Sequence, residues 1–234
     1  MTLALLNEIG VKTSFENNLI AVKSSEVEIN SKLITVESDW SSASYWYSII
    51  ALSEVGTQIT LSSYKVNSLQ GDCALIEIYK DFGVETIFNN DNSISISKVN
   101  FKNQKSLIFN LQSSPDIAQT IAVTCFGLGM GCDLTGLHTL KIKETDRLEA
   151  LKMELTKLGA EISVTNDSLY LKSSSAIKEK ISISTYQDHR MAMAFAPLAL
   201  KVPITINQAE VVSKSYPDFW KDLELVGIEN SEIN

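Results

Sequence analysis

The run Lys141-Ile142-Lys143-Glu144-Thr145-Asp146-Arg147-Leu148 sets two cations, Lys143 and Arg147, four residues apart with the carboxylate of Glu144 between them. That spacing predicts both cations on one helical face, about one turn apart. At a helix start the free N–H groups and the macrodipole already favour an anion, so a phosphate or carboxylate site is the chemistry to expect. Taken alone, the same run reads more readily as a solvated charged helix with a capping acid. Two further segments shift the balance. Lys214-Ser215-Tyr216-Pro217 again puts a cation just ahead of a helix, and Asp188-His189-Arg190 puts an arginine directly behind a capping aspartate, at the head of an otherwise apolar helix over residues 191–200. An arginine there is poorly placed for burial unless an anion meets it. Asp116 is an N-cap by type and a candidate base only through its neighbours. His189 and His138 carry no assignment by themselves.

The elements that must position these groups recur along the chain. Four expected helix ends carry a glycine, Gly10, Gly83, Gly159 and Gly227, at intervals of 73, 76 and 68 residues. Glycine belongs there because helices commonly stop in a left-handed conformation that costs it little. Alternating hairpin strands follow at residues 19–22, 94–97 and 169–171, each behind Asn or Asp turn residues. Asp39, Asp116 and Asp188, at intervals of 77 and 72 residues, each introduce a helix rich in small side chains that can lie deep in a core. Asp72, Asp146 and Asp218 open the amphipathic helices that end at the glycines. Trp40, Trp46, Tyr47, Ile49 and Ile50 read as core packing. The pattern predicts an α/β (α+β) fold of repeated βαβαββ units with mixed sheets, one partial unit plus two to three more.

Composition narrows the function classes. The 234 residues are 44% hydrophobic and 21% charged, enough apolar mass for one large domain or two smaller ones. A net charge of -8 argues against a nucleic-acid surface or a basic membrane patch. Cys73, Cys125 and Cys132 form no repeated framework and are expected as buried, reduced thiols. Two histidines and scattered acids show no metal-ligand spacing, and no glycine-rich nucleotide loop is present, so neither metal nor cofactor is expected. No uninterrupted apolar run approaches the roughly 18 residues of a membrane span, and a cytoplasmic location is expected.

Together the motifs resemble one family, the 5-enolpyruvylshikimate-3-phosphate synthases. The matching segments are Val36-Glu37-Ser38-Asp39 with Ser41-Ser42-Ala43-Ser44-Tyr45, Gln70-Gly71-Asp72, Ser114-Pro115-Asp116, residues 140–148, Asp188-His189-Arg190-Met191-Ala192-Met193, and Lys214-Ser215-Tyr216-Pro217-Asp218-Phe219. They span nearly the whole chain in family order. The resemblance implies the family's inside-out barrel of two lobes, each of three units with helices inside and sheets outside, closing on substrates between them. Residues 1–70 would be the remainder of the first lobe's last unit, and 71–234 the second lobe.

The resemblance also implies roles. Asp116 would take the proton from the 5-hydroxyl of shikimate-3-phosphate, and Glu144 would serve the methylene carbon of phosphoenolpyruvate. Arg147, Arg190 and Lys214 would hold phosphoenolpyruvate; Ser42, Tyr45, Asp116 and Lys143 would contact shikimate-3-phosphate. His189 and Asp72 fall at motif positions near the site. Thr139 stands where several members carry an asparagine. The family's early Lys-Ser-x-x-x-Arg segment has no counterpart here, so the missing first lobe is expected to be needed as a partner, and the isolated chain is expected to be inactive or nearly so. Two other readings remain at this point: a relative of the UDP-N-acetylglucosamine enolpyruvyl transferases, and a non-catalytic repeat domain that binds anions.

Overall fold

The computed structural model describes residues 1–23, 33–102 and 104–232. The first elements are α1 (Thr2–Glu8) and a hairpin of β1 (Thr13–Glu16) and β2 (Leu19–Val22). Asn17 and Asn18, both at positive φ, make the tight turn between those strands. The chain continues through α2 (Trp40–Leu52), β3 (Gln58–Leu61), α3 (Leu75–Ile78), β4 (Val84–Phe88) and β5 (Ile94–Lys98). One complete βαβαββ unit follows: β6 (Ser106–Asn110), α4 (Ala118–Gly127), β7 (Gly131–Thr135), α5 (Arg147–Lys157), β8 (Ile162–Val164) and β9 (Leu169–Leu171). The next unit runs β10 (Ile181–Ile183), α6 (His189–Phe195), β11 (Ile204–Ile206) and α7 (Phe219–Leu225).

The sheets are mixed. In the complete unit β6 pairs parallel with β7, β7 antiparallel with β9, and β9 with β8. The same parallel start recurs between β10 and β11, and the same hairpin between β4 and β5, which carries β3 on its other side. The four periodic glycines all lie at positive φ, from 70° to 102°. At Gly83 a side chain is also blocked by space, since a Cβ would stand 2.7 Å from the Phe101 ring and 2.8 Å from the Val99 carbonyl oxygen.

The small-residue helices α2, α4 and α6 pack on one another and are buried on nearly every face. Small hydroxyls let α2 and α4 approach closely and then satisfy each other. Ser44 Oγ lies 3.0 Å from Thr120 Oγ1, Thr124 donates to Ser48 at 2.8 Å, and the Tyr79 hydroxyl reaches Thr124 at 3.0 Å. Trp40, Trp46, Tyr47, Ile49 and Ile50 are core residues, and the three cysteines are free thiols, two buried and Cys73 partly so.

Among the described residues α2 shares one apolar core with α4, α6 and their sheets. The structure departs from the expected elements at one place. The helix expected from Asp72 to Gly83 is broken into a 3-10 turn, the single turn α3, and a second 3-10 turn. Asp72 does not cap it; its carboxylate accepts from Ser41 instead.

Candidate functional site

α5 and α6 begin beside each other, and their first turns meet the 3-10 turn Pro115–Ile117 that leads into α4. Asp146 starts α5 by accepting from the Glu149 N–H at 3.2 Å, and Asp188 starts α6 by accepting from the Arg190 N–H at 2.9 Å. Each is the N-cap its sequence position predicts. Asp116 is not. Pro115 and Ser114 set the turn, no side chain caps it, and the Asp116 carboxylate is left for cations.

Three cations converge on that carboxylate. Lys143 Nζ lies 3.3 Å and Arg147 Nη1 3.1 Å from Asp116 Oδ1, while Arg190 Nη2 lies 3.4 Å from Oδ2. Lys143 and Arg147 are not on one helical face: Lys143 is extended at the end of a 3-10 turn, and α5 begins only after the cap. They meet because both reach the same acid. Burial works to raise the Asp116 pKa, but Arg190, Lys143 and Arg147 together outweigh it and hold the carboxyl below its ordinary value.

Arg147 is the centre of the cluster. Its side chain is 2% exposed, and its donors go to Asp188 from Nε at 2.6 Å, to Asp116 from Nη1, and to Glu144 from Nη2 at 2.6 Å. Asp188 is itself fully buried. The guanidinium thus organises three carboxylates, and an incoming anion would have to displace one of them. Arg190 is more open: besides Asp116, its side chain hydrogen-bonds among the described residues only to the Ser41 hydroxyl, at 3.3 Å, which in turn donates to Asp72. Burial raises the Asp72 pKa. Glu144 is partly exposed; burial opposes its ionisation, but its own backbone N–H, Arg147 and His189 hold its pKa below the ordinary value.

His189 stands 4.0 Å from Glu144 and 3.9 Å from Asp188, with Nδ1 buried and unpartnered among the described residues. Burial, partly offset by Asp188, lowers its pKa from 6.5. The unfolded chain therefore takes up that proton first as pH falls, and stability present at pH 7 is expected to decline as pH drops through 6.5. A second decline is expected below the unfolded values of 4.5 for Glu144 and 3.8 for Asp116, whose folded pKa values are depressed. Urea midpoints measured from pH 7 to 3 check this; a flat profile would contradict it.

The other expected residues lie outside this network of ion pairs. Ser42 donates to Asp39 at 2.9 Å and lines a separate cavity of about 450 Å³ between α2, β3 and α7. Tyr45 is buried with its ring against Phe219, and burial pushes its hydroxyl far up. Tyr45 nonetheless lies close enough to feel the charge of Arg190, inside the core beside the cluster, whereas Ser42 faces the separate cavity. Thr139 Oγ1 is buried, with no hydrogen-bond partner among the described residues. Lys214 is exposed at the end of a 3-10 turn that packs on α6, with no ion pair among the described residues. Glu144, Asp188 and His189 come within 4.8 Å of one another, as a cation site would, but Arg147 already binds both carboxylates. One signal in the sequence pointed to the cluster more directly than any motif: Arg147 and Arg190 are the only arginines in the chain.

A family model described as EPSP synthase (3-phosphoshikimate 1-carboxyvinyltransferase) matches residues 1–223, which include every residue of this cluster. The chain belongs to the EPSP synthase family. Among relatives, a 3-phosphoshikimate 1-carboxyvinyltransferase of Bacteroides fragilis is 41% identical over 230 residues, covering 97% of this chain and 55% of that protein. One from Clostridium kluyveri is 31% identical, covering 99% and 53%. The chain thus spans about half the length of the curated relatives it matches. The fold is that of EPSP synthase from Acinetobacter baumannii, with a TM-score of 0.77 at 22% identity over 97% of this chain and 55% of the other. The enolpyruvyl transferase NikO from Streptomyces tendae is also similar, with a TM-score of 0.65 at 15% identity over 96% and 51%. Among the described residues no helix is long and apolar enough to cross a membrane.

Proposed function

We propose that this EPSP synthase family chain supplies the Asp116 cluster to transfer of the enolpyruvyl group of phosphoenolpyruvate to the 5-hydroxyl of shikimate-3-phosphate, with release of phosphate. The observation that carries this is the convergence of Lys143, Arg147 and Arg190 on Asp116, with Glu144 on the same guanidinium. An addition and elimination needs one group to take a hydroxyl proton and another to give and recover a proton at carbon; Asp116, held ionised by the cations, suits the first task, and Glu144, beside it on Arg147, serves the second by carrying a proton into the addition and taking it back at elimination.

In this reading Asp116 accepts the 5-hydroxyl proton and Glu144 serves the methylene carbon. Arg190 and Lys214, the less committed cations, take the carboxylate and phosphate of phosphoenolpyruvate, and Arg147 joins as its carboxylate partners shift. Lys143, beside Asp116, contacts shikimate-3-phosphate. A first lobe with further anion ligands completes the site, so the chain alone is expected to turn over neither substrate. Mixing it with a polypeptide carrying the part of the Bacteroides fragilis relative that it does not match tests this. Phosphate release from both substrates is expected from the mixture only. Turnover by the chain alone at the mixture's rate would sink the two-lobe reading, and no release from a mixture shown to associate would sink the reaction.

A further inference from the structure

α5 carries a second buried acid, two turns beyond Arg147. Glu154 is fully buried in the middle of the helix, a position no carboxylate occupies without partners. Two of its partners lie on the segment that leads into α6, and the third is Lys157 on α5 itself. The Tyr186 hydroxyl donates to Glu154 Oε1 at 2.6 Å, the Ser184 N–H donates to Oε2 at 3.1 Å, and Lys157 supplies the countercharge at 2.6 Å. Arg147 and Glu154, seven residues apart, face the same side of α5, so one helix grips this segment at both ends: Glu154 at residues 184–186 and Arg147 at Asp188.

Between the two grips the backbone is strained. Tyr186 and Gln187 follow each other at φ of 54° and 59°, a left-handed pair without a glycine. Such a pair persists only where its surroundings hold it. The next residue is Asp188, which caps α6 and fixes Arg147 Nε. The Asp188 N–H closes the turn on the Thr185 carbonyl at 2.9 Å. Releasing Tyr186 would let the pair relax, turn the Asp188 carboxylate and free the guanidinium it aims.

We infer that Glu154 and Tyr186 are positioning residues: together they hold residues 184–188 in the left-handed turn that sets Asp188, and through it Arg147, for anion binding. This rests on the reading of the cluster as a phosphoenolpyruvate site, and the test separates the two. Because the chain has only two arginines, [15N]arginine labelling gives two Nε–H signals. In Tyr186→Phe, held at a temperature where circular dichroism shows it folded, exchange of the Arg147 Nε–H with water is expected to quicken about tenfold, as for loss of one hydrogen bond to a charged group. Phosphoenolpyruvate affinity is expected to fall with it. Glu154→Gln, which keeps an acceptor for Tyr186, should lie between the natural chain and Glu154→Ala. Unchanged exchange in folded Tyr186→Phe overturns the clamp even if Glu154→Ala fails to fold, and quicker exchange with unchanged affinity overturns its role in binding. Quicker exchange in a chain whose natural form binds no phosphoenolpyruvate supports the clamp and removes the ligand reading instead.

Discussion

Arg147→Met is expected to lower the stability of the folded chain by about 3–5 kcal/mol, the usual cost of removing one partner of a buried ion pair. The reason lies in Asp188. It is fully buried, accepts the Arg147 Nε–H at 2.6 Å and, among the described residues, keeps only the N-cap hydrogen bond from Arg190 once the guanidinium is gone. A lost attraction is the smaller part of the effect; the larger is an ionised carboxylate left without a counterion in a medium that solvates it poorly. The double variant Arg147→Met/Asp188→Asn should recover much of the loss, since asparagine still caps α6 and carries no charge. Urea unfolding of the three proteins measures this. A single variant as stable as the natural chain, or a double variant no better than the single, would contradict the placing of Arg147 at the buried centre of the cluster.

Asp116→Asn is expected to move two properties in opposite directions. In the mixture that carries out turnover, the rate should fall by about 10²- to 10⁴-fold, the range for loss of a positioned general base. In the isolated chain, affinity for phosphoenolpyruvate should rise, because Lys143, Arg147 and Arg190 would no longer share a carboxylate and the cluster would gain one unit of positive charge. Steady-state rates and equilibrium titrations on the same variant check both. Parallel losses of rate and affinity would mean that Asp116 builds the site rather than acting in it.

The repeating architecture was legible because its causes are local. A glycine that must adopt positive φ, as at Gly83 and Gly159, and an aspartate that caps the residue two or three places on, as at Asp39 and Asp188, are set by the residues around them. The family was legible for the same reason, since its motifs sit at these turns and caps. The state of the cluster was not. Arg147 and Asp188 are 41 residues apart and Arg190 and Asp116 are 74 apart, so their pairing depends on how α4, α5 and α6 stack. Spacing alone put Lys143 and Arg147 on one helix; the Asp146 cap begins α5 too late for that. Ser42 sits one residue past Ser41, and that step turns it to Asp39 and the cavity beside β3, while Ser41 reaches Asp72 and Arg190.

Whether these cations receive phosphoenolpyruvate is measured most directly by calorimetric titration of that compound into the chain and into Arg190→Ala, at low salt. Arg190 is the natural choice because it is the less enclosed of the two arginines. Weak saturable binding to the chain is expected, with a Kd of about 1 mM, some 4 kcal/mol, and a loss of about tenfold or more in Arg190→Ala, the value of a charge-assisted contact. Equal binding by both proteins, or none by the natural chain, would contradict the assignment of these cations to phosphoenolpyruvate.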